Sequence, residues 1–390
     1  MTTTRTVKDK TAIVGVAVSE FSRDSGRTEY SLAAQVVRDA VVDSGLSFDE
    51  IDGIVKDISD GIDPMYLQKA VGIEHAQFAS DSHWGTSAIV SGITAVAAGI
   101  CKNVVYYRSV NGASKRRAGN DFRAAKEMQD ESLDLLRYDF YSPFGLLTPS
   151  GMAALCARRY LHRYGVDMSD LAWIPAVASE YAAANPRSAF FEKPMSFEEC
   201  ADSPAEVDPL RAVDCAPDVD GAVALVITSA ERAKDLPHPP AIVMAAAQAT
   251  STEGELFSSF NRPDITGLPE MKLMGDELFR VAGVQRSDVK AAQFDDRFSF
   301  LVAMQLEELG YCERGDGGAF CAKGERIRRD GDLPLNTNGG FLGEGFLYGA
   351  NVIEAVRQIR GTSSSQVENA DLVLVASGAG GPADGLLLRR

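Results

Sequence analysis

An α/β fold built from two similar halves is what this 390-residue chain predicts. Three observations carry the prediction. From Thr11 to Val110, apolar β-branched runs alternate with helix-patterned stretches, the order expected of a mainly parallel sheet. A similar order returns after residue 240. Between the two lies Asp235-Leu236-Pro237-His238-Pro239-Pro240, where proline stiffens the chain and blocks helix continuation. The division expected is 1–234 and 235–390, since the length is large for one core.

Each element has its own signal. Thr11 to Val18 reads as a first buried strand. Ser31 opens a helix with Leu32, Ala33, Val36, Val37, Ala40 and Val41 apolar and Gly45 as its stop. Ile51 to Val55 is a short strand, Phe78 to His83 leads into a small-residue helix from about Gly85 to Gly99, and Asn103 to Val110 is the strand that leaves it. From about 111 to 150 the pattern breaks into a basic, then aromatic insertion. An excursion of that length is a substrate lid or a surface loop, with Phe122 to Leu136 as a candidate helix. Helices follow at Gly151–Gly165 and Ser169–Asn185, then a strand at Val223–Thr228. The second half reads strand Ala241–Ala247, helix Met271–Val281, strand Val289–Phe294, helix Phe298–Leu309, a glycine-rich loop, helix Tyr348–Arg360, strand Asp371–Val375, and a closing strand near Gly385–Leu388.

Composition narrows the function. A net charge of −16 argues against nucleic acid and anionic membrane as partners. No apolar run approaches the ~20 residues that span a bilayer, and the first ten residues lack a signal-peptide core, so a cytoplasmic location is expected. The six cysteines are scattered without a C-x-x-C pair, which favours reduced thiols. The four histidines have no helical ligand spacing, so no metal centre is expected.

The most informative stretch is Asp332 to Gly349, which reads N-T-N-G-G-F-L-G-E-G-F-L-Y-G from Asn336. Glycines at this density let backbone approach a ligand closely, and a helix pattern follows at once. With the E-A-V-R-Q-I-R-G that continues it, this stretch resembles the C-terminal active-site loop of the thiolase superfamily. It is most similar to the sterol-carrier-protein-type thiolases and the steroid side-chain aldolases. The resemblance covers almost the whole chain and implies a duplicated thiolase fold, five layers αβαβα with mixed sheets.

Four positions carry that family's chemistry, and here each is altered. Where the family has Cys-x-x-Gly-x-x-Ala, this chain has Ser82-His83-Trp84-Gly85-Thr86-Ser87-Ala88. Ser82 stands at the nucleophile position, as an attacking hydroxyl or as the helix N-cap, with His83 beside it. The His/Tyr-Asp-x-Phe stretch is Asp295-Asp296-Arg297-Phe298, which puts a carboxylate at the reacting corner. The Gly-His-Pro is Gly345-Phe346-Leu347, leaving Tyr348 and Glu344 as that corner's ionisable groups. The final Cys-x-Gly is Ala376-Ser377-Gly378.

With both cysteines and the catalytic histidines gone, the resemblance implies retro-aldol cleavage of a β-hydroxyacyl-CoA to a 17-keto steroid and a short acyl-CoA. Asp295 and Tyr348 are the expected acid/base groups and Ser82 a further catalytic candidate. Gly343, Gly378 and Gly380 are expected to hold an oxyanion, and His83, Asp296, Glu344 and Phe346 to line the pocket. The aldolases carry tyrosines where this chain has Asp295 and Phe346. No cofactor is implied beyond the acyl-CoA substrate. A homodimer through Asn103–Val110 and a partner of the DUF35 type (an OB-fold, zinc-ribbon protein) are implied. Lys115, Arg116, Arg117 and Arg123 are placed to meet CoA phosphates or to face solvent. Two other readings stay open: a non-catalytic acyl-CoA-binding scaffold, and a thiolase-like acyltransferase using Ser82 or a cysteine from elsewhere.

Overall fold

β1 (Thr11–Val18) is the strand on which the first half is hung: it is apolar and β-branched, and its first four residues are buried. The structure, a computed structural model, describes residues 7–82, 86–114, 141–146, 148–252, 262–379 and 382–390. Helix α1 (Glu29–Ser44) starts where the Thr28 hydroxyl accepts the Ser31 N–H, and stops at Gly45 in the left-handed region. Its apolar face lies on the sheet through Ala33, Val36, Val37 and Ala40. Then come β2 (Gly53–Asp57), α2 (Pro64–Val71), β3 (Phe78–Ser82), α3 (Ser87–Ala97) and β4 (Val104–Asn111).

The chain next builds an insert of small elements. These are α4 (Pro149–Tyr164), α5 (Met168–Leu171), α6 (Trp173–Ala184), α7 (Phe197–Ala201) and a hairpin of β5 (Ala205–Val207) and β6 (Leu210–Arg211). It returns to the sheet as β7 (Asp220–Ser229). The second half holds β8 (Ala241–Ala249), α8 (Pro269–Ala282), β9 (Ala291–Gln293), α9 (Ser299–Glu308), α10 (Gly317–Cys321), α11 (Gly340–Gly343), α12 (Ala350–Arg360), β10 (Leu372–Ser377) and β11 (Ala383–Arg389).

Among the described residues the nine main strands hydrogen-bond in the order β3-β2-β4-β7-β1-β8-β11-β10-β9. Reading outward from the middle exposes a duplication. β1 and β8 meet antiparallel over two residue pairs, Ala12 with Ile242 and Ile13 with Ala241. On each side the next strand is antiparallel (β7, β11), the next again antiparallel (β4, β10), and the next parallel (β2, β9). β3 continues the first half in parallel, and a parallel bridge from Ala292 to Leu335 takes the matching place in the second. Helices α3 and α12 occupy equivalent places before β4 and β10, and share one core cluster with a single face of the sheet, contributed by strands of both halves. A second cluster lies under α1, and a third under α8, α9 and the insert. Helix, sheet, central helices, sheet and helix give the five-layer αβαβα thiolase architecture.

Three expectations are corrected. The homodimer expected through Asn103–Val110 cannot form by edge-to-edge pairing of that strand, because β4 lies inside the sheet between β2 and β7; among the described residues the end strand of the first half is β3. The single helix expected over Ser169–Asn185 is two, α5 and α6, because Pro175 in the first turn of α6 lacks an N–H to continue the ladder. Ser82 is the last residue of β3, while α3 is capped at Thr86, so Ser82 is not the N-cap. His83, Gly380, Lys115, Arg116, Arg117, Arg123 and the helix expected at 122–136 lie outside the described residues.

Candidate active site

The site grows from the carboxyl end of β9. After Gln293 the chain leaves the sheet as Phe294-Asp295-Asp296-Arg297-Phe298 and enters α9. Asp295 and Asp296 are both buried, which demands partners for each carboxylate. Asp296 takes the amides of the glycine-rich loop: Phe341 N–H donates at 2.7 Å and Leu342 N–H at 3.3 Å. The loop can wrap it because Gly340 has φ +61°, and a Cβ there would sit 2.0 Å from Asp296 Oδ2. Burial pushes the Asp296 carboxyl up to about 7, against the pull of those amides. The negative charge that the loop amides hold is therefore an internal one.

Asp295 is the centre of a second arrangement. Its Oδ1 accepts from Arg297 N–H (3.2 Å) and Nε (3.0 Å). Its Oδ2 accepts from Arg297 Nη2 and from the amides of Gly378 (3.2 Å) and Ala379 (3.3 Å) in the turn after β10. The guanidinium carbon of Arg297 also stands 5.5 Å from the centre of the Tyr348 ring. Burial opposes the charge on Arg297, but Asp295 and Tyr348 outweigh it and hold the guanidinium protonated. Arg297 thus ties together the two groups singled out from the sequence, and it was not itself singled out. The signal was present: two adjacent acids entering a core require a cation, and Arg297 is next in line.

Tyr348 is buried in an aromatic trio. Its ring lies 5.0 Å from Phe346 and 5.7 Å from Phe341, both edge-on. Below it, Tyr106 on β4 is fully buried and donates to the Tyr348 carbonyl at 3.5 Å. Burial, and then the charge of Asp57, push the Tyr106 hydroxyl well above its ordinary range.

The oxyanion donors expected of Gly343 and Gly378 are already engaged. Gly343 N–H donates to the Gly339 carbonyl at 2.8 Å, and Gly378 N–H to Asp295. Glu344 faces the insert rather than the reacting corner: it accepts from Asn185 Nδ2 at 2.8 Å and from Asn338 Nδ2. Burial raises it to about 7, against the attraction of Arg357. Ser82 lies on the β3 edge, its carbonyl accepting Ile58 N–H at 2.8 Å.

The cysteines do not replace the missing nucleophile. None of the six is in a disulfide, and burial raises every one: Cys101 and Cys200 to about 11, Cys156, Cys215 and Cys312 to about 12, and Cys321 higher still. Among the described residues no group of three or more His, Cys, Asp or Glu converges as a metal site, and no helix is long and apolar enough to cross a membrane.

Residues 247–385 match the family described as thiolase C-terminal domain-like. The chain is 41% identical over 97% of its length, and 97% of the relative's, to the steroid side-chain-cleaving aldolase of Thermomonospora curvata. It is 40% identical over 97% of its length, and 98% of the relative's, to the 17-hydroxy-3-oxo-4-pregnene-20-carboxyl-CoA lyase of Mycobacterium tuberculosis. The solved Ltp2-ChsH2(DUF35) aldolase superposes with a TM-score of 0.92 at 38% identity, covering 98% of each chain.

Proposed function

The chain belongs to the thiolase superfamily, among its steroid side-chain-cleaving aldolases, and from that membership we propose how its site works. The reaction is retro-aldol cleavage of a 17-hydroxy steroid carrying a CoA-thioester side chain. A base removes the β-hydroxyl proton, the bond between the α- and β-carbons breaks, the steroid leaves as a 17-ketone, and the thioester enolate takes a proton to give a short acyl-CoA. The enzyme is a carbon–carbon lyase, acting on acyl-CoA without a cofactor of its own.

One observation carries the assignment of roles: Arg297 bridges Asp295 and Tyr348. The Asp295 carboxylate is already occupied by a guanidinium fork and two amides. Those contacts make it an anchor for Arg297 and for the turn after β10. Tyr348, beside a fixed cation, is the group we assign to the β-hydroxyl, because a neighbouring positive charge stabilises the phenolate. Asp295 is then a positioning residue acting through Arg297.

By likeness to the Ltp2-ChsH2(DUF35) aldolase, a DUF35-type partner joins the chain; independently of that likeness, two copies pair through β3, an end strand of the sheet among the described residues. The test is incubation of the chain with such a partner and a 17-hydroxy steroid CoA thioester. A 17-ketone and a short acyl-CoA in equal amounts are expected. Their absence, or an acyl group bonded to Ser82 or a cysteine, overturns the reading.

A further inference from the structure

Across β11 from the reacting turn stands a carboxyl group that the reading above leaves unused. Asp384 is wholly buried, paired in register with Ser377 of β10 on one side and Gln248 of β8 on the other. Directly opposed residues of antiparallel strands share a sheet face. Here that face is the inner one, where Leu386, Leu388, Val373 and Val375 pack against the central helices. Oδ1 of Asp384 accepts from Ser87 Oγ at 2.7 Å and Gln248 Nε2 at 2.9 Å, and Gln248 also donates to Ser87 Oγ at 2.8 Å. Oδ2 is buried with no hydrogen-bond partner among the described residues.

That asymmetry has a chemical meaning. A carboxylate oxygen left dry is unfavourable unless a proton or a donor meets it. Burial pushes the Asp384 carboxyl up to about 7, with Ser87 and Gln248 pulling the other way and the charge of Asp57, at the end of β2, adding to the rise. Oδ1 already receives two donors, so the proton of the neutral acid sits on Oδ2. Ser377 ends β10, and the next two amides hold Asp295. β9 meets β10 in parallel up to Gln293 and Val375, and beyond the ladder the Asp295 carboxylate turns back onto the end of β10 through those two amides. Asp384 thus lies two strands, ~10 Å, from β9, whose outgoing chain carries the Asp295 that holds Arg297 beside Tyr348.

We propose that Asp384 is the acid that protonates the α-carbon of the departing thioester enolate, with Ser87 and Gln248 positioned to stabilise the carboxylate it becomes. This rests on the retro-aldol reading. The Asp384 O–H bond breaks as the C–H bond forms, and the enolate electrons supply the new bond while the thioester carbonyl returns. The β-hydroxyl proton taken by Tyr348 later returns to Asp384 through solvent, so the cycle is neutral.

The experiment uses the chain with its DUF35-type partner. Asp384→Asn keeps an acceptor for Ser87 and Gln248 but has no transferable proton. It is expected to lower kcat at least ~10²-fold with KM little changed. Exchange of the α-hydrogens of the short acyl-CoA product with D2O should fall by the same factor. Ser87→Ala removes a donor that favours the carboxylate, so the alkaline limb of kcat, set by loss of the Asp384 proton, moves to higher pH. This second variant decides the matter if Asp384→Asn does not fold. Exchange within twofold of wild type in Asp384→Asn, or an unmoved alkaline limb in Ser87→Ala, overturns the proposal while the retro-aldol reading stands. No ketone from the wild-type complex overturns both.

Discussion

Arg297 decides what its neighbours can be. Without it, Asp295 would be a buried carboxylate free to accept a proton; with it, the carboxylate is spent on holding a cation under the Tyr348 ring. Tyr348→Phe is therefore expected to lower kcat by ~10² or more with the fold intact. Asp295→Asn should lower kcat and also cost ~3–5 kcal/mol, because it leaves Arg297 without its counter-charge. The split is read by steady-state kinetics beside thermal unfolding: equal losses of stability in both variants would contradict it. Sequence led to Asp295 and Tyr348 because each stands at a family position with altered chemistry. It did not lead to Arg297, whose value comes from burial, nor to Asp384, a lone acid in a closing apolar strand whose isolation was the overlooked signal.

At the scale of elements, the pattern of strands and helices was legible because each carries its own period and stop, as with the apolar face and Gly45 of α1, although that helix, expected to open at Ser31, starts at Glu29 with Thr28 as its cap. Starts of helices in small-residue sequence were not. Between Ser82 and Ser87 a single apolar residue, Trp84, sets no helical period to mark where α3 begins, so motif spacing alone placed the N-cap too early. Strand order was also hidden, since pairing is set by contacts far apart in sequence; hence the dimer was expected through Asn103–Val110, although β4 is internal and β3 is the end strand among the described residues. On β3 the Phe78 N–H donates inward to the Asp52 carbonyl at 3.2 Å, so the alternate N–H groups, Ala79 and Asp81, face outward. Ala79→Pro should remove one outward donor, and sedimentation velocity should then report monomers where the parent chain dimerises. A dimer that survives the substitution would exclude pairing through this edge.

Across the whole molecule, the buried carboxyls Asp296, Glu344 and Asp384 share a direction: burial lifts each to about 7. In the unfolded chain they ionise near pH 4, so between pH 4 and 7 the folded state binds more protons. Stability is then greatest in mild acid and falls as pH rises through 7, by ~2 kcal/mol for each group between pH 5.5 and 8. The exposed acids whose pKa is lowered, such as Asp276 and Glu277, are ionised in both states over that window and leave it flat. Calorimetry at the two pH values should give the higher melting temperature at 5.5; the reverse order would mean that these carboxyls are ionised in the native state.

The insert has a further consequence. It departs from β4 and returns at β7, yet Tyr160, Val177 and Tyr181 pack with Phe300, Met304 and Phe320 of the opposite half, and Tyr160 hydrogen-bonds Glu307. A chain severed at Pro239 would therefore yield two pieces that are not independent modules. The leading fragment would carry the roof of the trailing one, and each would be an obligate complement of the other.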